Sequence, residues 1–278
     1  MEQYQSLLFP YAYNILGSVE DAKDAVQDVL LKYTAKGRQA DNEKNYLIRG
    51  VINQSINLKT RKREIQPPED WLPEPIATEK TDLALELREL VSYSLLYLLE
   101  RLNPKERAVF ILKEAFSYRH EEIAEVLSIS TENSRKLYSR SVKKVRDYKA
   151  DKPLASYSKQ LFETIDQFTD AIQSKDLDKL HQLMSDDISF HADGGDKVRV
   201  VSKHSFGIRE VADLLVFVYH KFQRNYTTRK IILNHQPALL YFDKKKLILC
   251  QIFEFTHSGK VENVSLVIDP VKLKHLIA

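Results

Sequence analysis

The sequence predicts a multidomain chain: two all-α blocks separated by a proline-rich connection, then an α+β domain in which a curved sheet wraps a long helix as a cone. Three observations carry that prediction. Apolar residues recur at helical spacing over residues 1–66 and again over 82–150. Between these blocks, in the connection 67–81, the stretch PPEDWLPEPIATEK holds Pro67, Pro68, Pro73 and Pro75, which oppose helix and favour an extended, semi-rigid path. From residue 156 to 278 two helical stretches give way to strand-like runs and one further helix, the order of an α+β domain.

In the first block, Leu7, Leu8, Tyr11, Ile15 and Leu16 make one amphipathic helix ended by Gly17. Ser18 then caps a second, with Glu20 and Asp21 in the first turn, where the helix dipole favours acids. Ala22, Ala25, Val26, Val29, Leu30 and Tyr33 form its core stripe, leaving Asp21, Asp24, Gln27, Asp28 and Lys32 polar. A third helix follows Gly37 and Asp41-Asn42. Tyr46, Leu47, Val51 and Ile52 are expected inward, Arg49, Asn53 and Asn57 elsewhere, and Lys59, Arg61, Lys62 and Arg63 at the basic end.

Composition narrows the function classes. The chain has 278 residues, 43% hydrophobic and 29% charged, enough for real cores in two or three domains. Its net charge is only +3, so cation is local rather than global. The single Cys250 rules out an internal disulfide and, lying in the apolar run Leu247 to Ile252, reads as a buried structural thiol in a reducing compartment. No apolar leader and no run of membrane-spanning length is present, so a cytoplasmic protein without a membrane partner is expected. The eight histidines lack ligand spacing and no glycine loop could cradle phosphate, so neither a metal nor a cofactor is expected.

The stretch Arg107 to Arg146 carries the clearest chemistry. A lead helix, a short helix Arg119–Leu127, a tight connection Ser128-Ile129-Ser130 and a basic helix from Thr131 form a helix-turn-helix, with Ser130 as N-cap. Leu137, Val142 and Val145 are expected inward. Thr131, Glu132, Asn133, Arg135, Lys136, Ser139, Arg140, Lys143 and Lys144 are the candidate DNA face, early residues at base edges and later cations at phosphates. An ordinary helical hairpin with a solvated basic face is the alternative.

The segment LLYLLERLNPKERAVFILKEAFSYRHEEIAEVLSISTENSRKLYSRSVKKV resembles region 4 of extracytoplasmic-function sigma factors, through Leu102, Pro104, Glu106, Arg107, Ala108, Val109, Phe110, Leu112 and the Glu122-Ile123-Ala124 that follows. GSVEDAKDAVQDVLLKY resembles the part of region 2 that docks on RNA polymerase, which implies polymerase contacts at Asp21, Asp24, Gln27, Asp28 and Leu31. YLIRGVINQSINLKTRKR is similar to the region 2 segment that reads the −10 element, implying roles for Arg49, Asn53, Asn57, Lys59, Arg61, Lys62 and Arg63, and a flipped base near Lys36–Asn45. In that segment Tyr46 stands for the usual Trp and Asn57 for the usual Asp. Trp71, Leu72, Pro73, Glu74 and Pro75 match the linker signature of a sigma-factor group with a fused C-terminal domain.

In the last block, helices at Lys159–Ile172 and Leu177–Met184 precede strand-like DISFHADGG and KVRVVSKHSFG, a helix IREVADLLVFVYHKF, and runs YTTRKIILN, PALLYFD, LILCQIFEFT and KVENVSLVID. This order resembles the SnoaL-like superfamily, whose cones contain a pocket, so a small-molecule ligand is a candidate partner. His191, Asp193 and Asp196 could be cast as acid–base groups, but Asp193-Gly194-Gly195 is turn composition; no catalytic role is assigned. Asp193-Gly194-Gly195-Asp196-Lys197 is similar to a D-G-G-G-K motif of the fused group, and Asp269-Pro270-Val271-Lys272-Leu273 to its N-P-D-K-L tail, which implies a regulatory role for Asp193–Lys197, Asp269, Pro270, Lys272 and Leu273. The resemblance therefore implies a non-enzymatic sigma factor binding core polymerase and the −10 and −35 elements, regulated by its own third domain through the linker. A DNA-binding regulator that never engages polymerase, and a SnoaL-like enzyme or ligand sensor tethered to a nucleic-acid module, are the alternatives.

Overall fold

In the computed structural model of the chain, residues 2–35, 37, 41–65, 71–78, 89–145 and 159–276 are described. They divide into two units: 2–65 with 89–145, and 71–78 with 159–276. The stretch Trp71 to Thr78, part of the expected connection 67–81, thus belongs to the same unit as the sheet. Its flanks, Pro67 and Pro68 included, lie outside the described residues, as do Arg146 and, within Lys36–Asn45, residues 36 and 38–40.

The first unit is all helix. α1 (Glu2–Leu16), α2 (Val19–Ala35) and α3 (Glu43–Ile65) pack on one another through Leu8, Ile15, Ala22, Val26, Leu47, Val51 and Ile52. Gly17 turns the first corner at φ 75, a left-handed conformation in which a Cβ is costly. Gly50 lets α3 approach α2: a Cβ there would meet Val29 Cγ1 at 2.9 Å. Tyr46 corrects its expected place. It is 41% exposed with its ring 5.4 Å from Tyr33, because it precedes the buried pair Leu47-Ile48 in the helical wheel. α4 (Tyr93–Leu98) and a 3-10 turn (Leu99–Arg101) lead into α5 (Pro104–Glu114), α6 (His120–Leu127) and α7 (Thr131–Lys144). Asn103 caps α5, accepting from Glu106 N at 2.9 Å while Glu106 accepts from Asn103 N at 3.0 Å.

The second unit is a six-stranded sheet in the order β2-β1-β6-β5-β4-β3, with helices packed on one face. α8 (Lys159–Ser174) and α9 (Leu177–Leu183) precede β1 (Met184–Asp193) and β2 (His204–Phe206). α10 (Ile208–Val218) runs into a π turn, Tyr219–Gln223, before β3 (Thr227–Leu233), β4 (Gln236–Asp243), β5 (Lys246–Phe255), β6 (Val261–Val267) and α11 (Pro270–Leu273). β3 to β6 are antiparallel neighbours, but β1 pairs with β6 in parallel, and the sheet packs on a core of Phe168, Phe190, Val211, Leu215 and Phe253. This is the expected α+β cone. The expected strand KVRVVSKHSFG is corrected: only His204–Phe206 pairs, and 194–203 runs as irregular chain. Cys250 is fully buried on β5 and burial pushes its thiol far up, so it is inert.

Candidate nucleic-acid interface and linker clamp

The helix-turn-helix is built by α6 and α7. Ser128 ends α6 at φ 53, ψ 48, and Ser130 caps α7, accepting from Asn133 N at 3.1 Å. The inward face of α7 is Ser134, Ser141 and Val145, with Leu137 half-buried. Val142, expected inward, is 39% exposed, because small residues rather than large apolar ones let α7 seat closely: Ser134 Oγ lies 3.0 Å from His120 Nδ1, and Ser141 donates to Tyr138 O at 2.7 Å. Glu132, Asn133, Arg135, Lys136, Ser139, Arg140, Val142 and Lys143 are exposed, and Thr131 half so. Only surface pairs restrain these cations, Arg135 to Glu121 at 3.3 Å and Lys136 to Glu132 at 2.6 Å, and such pairs yield readily to DNA. Lys144 differs. It is paired at 2.7 Å with Glu106, itself 3% exposed, and fastens α7 to α5.

On α3 the candidate −10 residues are largely engaged inside the unit. Arg49 donates to Ser128 Oγ at 2.6 Å and Asn53 Nδ2 to Val126 O at 3.0 Å, so α3 holds the turn of the helix-turn-helix. Arg63 donates to Leu102 O at 2.5 Å. Lys62 pairs with Asp21 at 2.6 Å, and Gln54 donates to Asp28 at 3.0 Å, which ties α3 to α2. Asn57 and Arg61 are exposed, as are Asp24, Gln27, Asp28 and Leu31 along α2.

Lys59 is a correction. Expected to face DNA, it turns inward because an acid waits there: its Nζ reaches Glu100 at 2.7 Å and Leu16 O at 2.9 Å, with side chains 13% and 7% exposed. Glu100 also accepts from Arg107 Nη1, and Arg107, fully buried, donates through Nε to Asn14 O at 2.8 Å. Burial pushes the Lys59 amine down to about 8, against the pull of Glu100. Burial also opposes ionisation of Glu100, yet Arg107 and Lys59 outweigh it and hold that carboxyl below its usual value. The two directions agree physically: one carboxylate faces two cations, whereas each cation shares one carboxylate.

In the second unit the WLPEP stretch lies along the end of the sheet. Asp193, at the end of β1, accepts from Leu72 N at 2.8 Å, from Gly195 N at 2.7 Å and from Lys272 Nζ at 2.5 Å. Lys272 also donates to Leu72 O at 2.5 Å and stands 4.3 Å from the centre of the Trp71 ring. Burial lowers the Lys272 pKa, with Asp193 opposing the shift. Leu72, Pro73, Glu74 and Pro75 are buried, Trp71 half so. Downstream, Ile76 N donates to Asn234 Oδ1 at 2.8 Å, Asn234 N to Ile76 O at 2.8 Å, and Ala77 bridges Leu233 at the edge strand β3. Asp269 caps α11, accepting from Val271 N at 2.9 Å, and presses on Gly195, where an added Cβ would sit 2.5 Å from its Oδ2. Leu273 is buried beside Lys272; Pro270 opens the turn and is exposed. Gly194 also lacks room, a Cβ there meeting Val198 O at 1.9 Å.

Asp196 and Lys197 are exposed and outside this clamp. His191 Nδ1 lies 2.9 Å from His204 Nδ1. With three donors on its two oxygens, Asp193 is committed to structure rather than acid–base work. Sequence reasoning missed Asn234 and Glu100 and named Ser128 only as part of the tight connection; for the first, the turn composition of Asn234-His235, both at positive φ, offered a signal. A cavity of about 200 Å³ opens inside the cone between the sheet and α10.

Comparison with known proteins fits this division. Residues 1–65 match the family model described as Sigma-70 region 2, and residues 92–145 that described as Sigma-70, region 4. The ECF RNA polymerase sigma factor SigJ of Mycobacterium tuberculosis (strain ATCC 25618 / H37Rv) is 29% identical over 206 residues, which span 70% of this chain and 64% of that protein's length. The probable ECF RNA polymerase sigma factor SigI of M. tuberculosis (strain CDC 1551 / Oshkosh) is 26% identical over 211 residues, 73% of this chain and 72% of that one. The crystal structure of M. tuberculosis SigJ superimposes with a TM-score of 0.76 at 21% identity, covering 99% of this chain and 97% of that one, so the fold is shared from end to end. No helix among the described residues is long and apolar enough to cross a membrane. With regions 2 and 4 of the sigma-70 type in their order and an α+β cone behind them, the chain is similar along most of its length to extracytoplasmic-function sigma factors.

Proposed function

We propose that this chain directs core RNA polymerase to a set of promoters, and that its cone domain governs that activity in cis by holding the WLPEP stretch. The observation that carries the reading is the exposed, acid-poor face of α7, from Arg135 to Lys143, on a chain that also has a region 2. In this reading Thr131, Glu132, Asn133, Arg135, Lys136, Ser139 and Arg140 meet the −35 element, with Lys143 on phosphate. Arg49, Asn53, Asn57, Arg61, Lys62 and Arg63 meet the −10 element, and Asp21, Asp24, Gln27, Asp28 and Leu31 meet polymerase. Lys59 and Lys144 serve as internal fasteners. Arg49 and Asn53 become available to DNA only after Ser128 and Val126 let go, so the arrangement described is a resting one.

The cone acts by binding rather than by catalysis, since the carboxylate best placed for chemistry is used to grip Leu72 and Lys272. Its hold on Trp71–Thr78 fixes one end of the chain that joins the two DNA-reading blocks, which gives it a handle on their spacing. Run-off transcription with purified core polymerase tests both parts, comparing the full chain with one ending near Lys152 and with Asp193→Asn. Specific transcripts that depend on Arg135, with an output changed by truncation and by Asp193→Asn alike, are expected. No promoter-specific transcript from any form refutes the sigma-factor reading, and equal transcription from all forms refutes control in cis.

A further inference from the structure

A strongly basic surface that the reading above leaves unused lies at one end of the cone. Residues 217–230 contain no acid, and the turn Asp243-Lys244-Lys245-Lys246 between β4 and β5 contains one. Strand register sets the two segments side by side. Thr227 pairs with Phe242 and Asp243 with Lys246, so the turn projects past the start of β3, where Arg224 and Asn225 enter the strand. Arg229 joins them from β3, its guanidinium 5.3 Å from the centre of the Phe242 ring. Lys221, Arg224, Arg229, Lys244, Lys245 and Lys246 are all exposed, and none pairs with an acid among the described residues. Their neighbour Lys230 makes the contrast, spending its charge on Asp166 at 2.7 Å. Unpaired cations gathered on one surface are the footprint of a polyanion.

Two aromatic rings stand among these cations, and the backbone is wound to put them there. Val218 ends α10 on its buried side, so in a regular α-helix residue 222 would follow it inward one turn later. The π turn Tyr219–Gln223 shifts that order by one residue: Gln223 goes inward at 6% exposed, and Phe222 swings out to 49% beside Phe217 at 47%. Such turns often mark functional sites. The two rings meet edge to face, centroids 6.4 Å apart at 82°, with the Lys221 amine 5.3 Å from one centre and 5.9 Å from the other. Neither ring adds to the core, and the amine over them is held only by a weak surface cation–π contact.

We propose that this end of the cone binds single-stranded DNA, with bases stacked on Phe217 and Phe222 and phosphates along Lys221, Arg224 and the turn 243–246. Cations alone fit any polyanion; the rings select the kind. In a duplex the bases cover one another and offer only their edges, whereas a single strand offers base faces, and a basic surface set with aromatic side chains is how such strands are held without sequence preference. The choice of DNA rests on the reading above, in which the chain works on an opened promoter. Binding of a single strand does not.

The experiment uses the full-length protein without polymerase and a labelled oligothymidylate of about 12 nucleotides, within the usual site sizes. The strand holds no promoter, so the outcome is separate from any transcription result. Affinity is read by fluorescence anisotropy across salt. Phe217→Ala combined with Phe222→Ala is expected to weaken the strand at least roughly tenfold, to leave a random duplex of equal length unaffected, and to keep native circular dichroism. Phe217→Trp, which keeps a ring face, should bind as wild type does. Lys244→Ala, Lys245→Ala and Lys246→Ala together should lower the salt slope by about 2, because each phosphate contact on a single strand contributes about 0.7. Unchanged affinity in the phenylalanine variant, or an unchanged slope in the lysine variant, overturns the site. Tighter binding of oligouridylate overturns the assignment to DNA. Oligoglutamate that displaces the strand as readily as unlabelled oligothymidylate does overturns nucleic acid as the partner in favour of an acidic protein.

Discussion

Removing the ammonium of Lys272 tests the clamp most directly. In Lys272→Met the shape of the side chain is largely kept, but Asp193 loses a partner at 2.5 Å in a place where the two side chains are 6% and 7% exposed. Breaking a buried pair from one side costs about 3–5 kcal/mol, because a charge is left without compensation. The Trp71 ring loses its cation as well, and Leu72 O its charge-assisted donor. Asp193 can escape most of that penalty by rehydrating if the linker leaves, so the loss should appear first as undocking of Trp71–Thr78. Urea titration of the full chain separates the two events, with Trp71 emission reporting the linker and circular dichroism the whole. For Lys272→Met the emission change is expected to move to lower urea than the dichroism change. Pairing with Asp193→Asn closes the cycle: the double variant should be less damaged than the sum of the singles by roughly 2 kcal/mol or more. Single effects under about 0.5 kcal/mol that simply add would refute the buried clamp.

Other surfaces give independent readings. Arg135→Ala is expected to lower affinity for promoter DNA by about 1–3 kcal/mol with little effect on random DNA. Lys143→Ala should weaken both alike and reduce the salt slope by about 1, measured by fluorescence anisotropy across salt. Glu100→Gln leaves Lys59 and Arg107 facing each other and should cost the first unit about 3–5 kcal/mol near neutral pH. Since the folded Glu100 carboxyl is held below its ordinary value of 4.5, the stability it contributes is present above that pH and is lost as pH falls through the folded value. Urea midpoints across that range should therefore fall for wild type and be flatter for Glu100→Gln. Gly195→Ala puts a side chain at φ 59 against Asp269, adding about 1–2 kcal/mol of left-handed strain. It should loosen the clamp, read as faster proteolysis within Trp71–Thr78.

The helix-turn-helix was legible because its determinants are local: a capping Ser130, a helical apolar period and a run of cations without acids. Its inward face was misjudged at Val142 because close helix crossing selects Ser134 and Ser141, and hydrophobic patterning does not register small polar residues as core. Lys59 was misjudged for a related reason. At a helix end it looks like any solvated cation, and the acid that draws it inward lies on another helix, 41 residues away. The clamp residues, and a docking of the third domain on Trp71–Pro75 near Asp193–Lys197, could be named from motif resemblance, but not the individual bonds, since Leu72 meets Asp193 across 121 residues and Lys272 across 200. The parallel pairing of β1 with β6 left no periodic trace. The stretch 197–203 alternates like a strand, yet Val198 and Val200 are spent on the cavity wall instead.

In the proposed reading, the closed arrangement of the first unit and promoter reading compete for the same atoms, and the size of that competition decides whether a linker can govern it. Arg49 and Asn53 spend one hydrogen bond each on the turn, together about 2–4 kcal/mol at most when one donor is charged. The contact between Lys59 and Glu100 adds less than its distance suggests. On opening, Lys59 regains water and Glu100 keeps Arg107, so the desolvation that closure imposes largely cancels the attraction. The ionic contact thus fixes which surface of α3 meets the region 4 helices more than how tightly they meet. Turning such an equilibrium from mostly closed to mostly open needs about 5.5 kcal/mol of differential binding. In this reading docking on polymerase and promoter phosphates supplies that, but the clamp's direct hold on the neighbouring linker, two charge-assisted hydrogen bonds to Leu72 worth about 3–6 kcal/mol at most, is of the same order. Control from the cone is therefore energetically reasonable without a large apolar interface, provided the clamp is tighter in one arrangement than in the other.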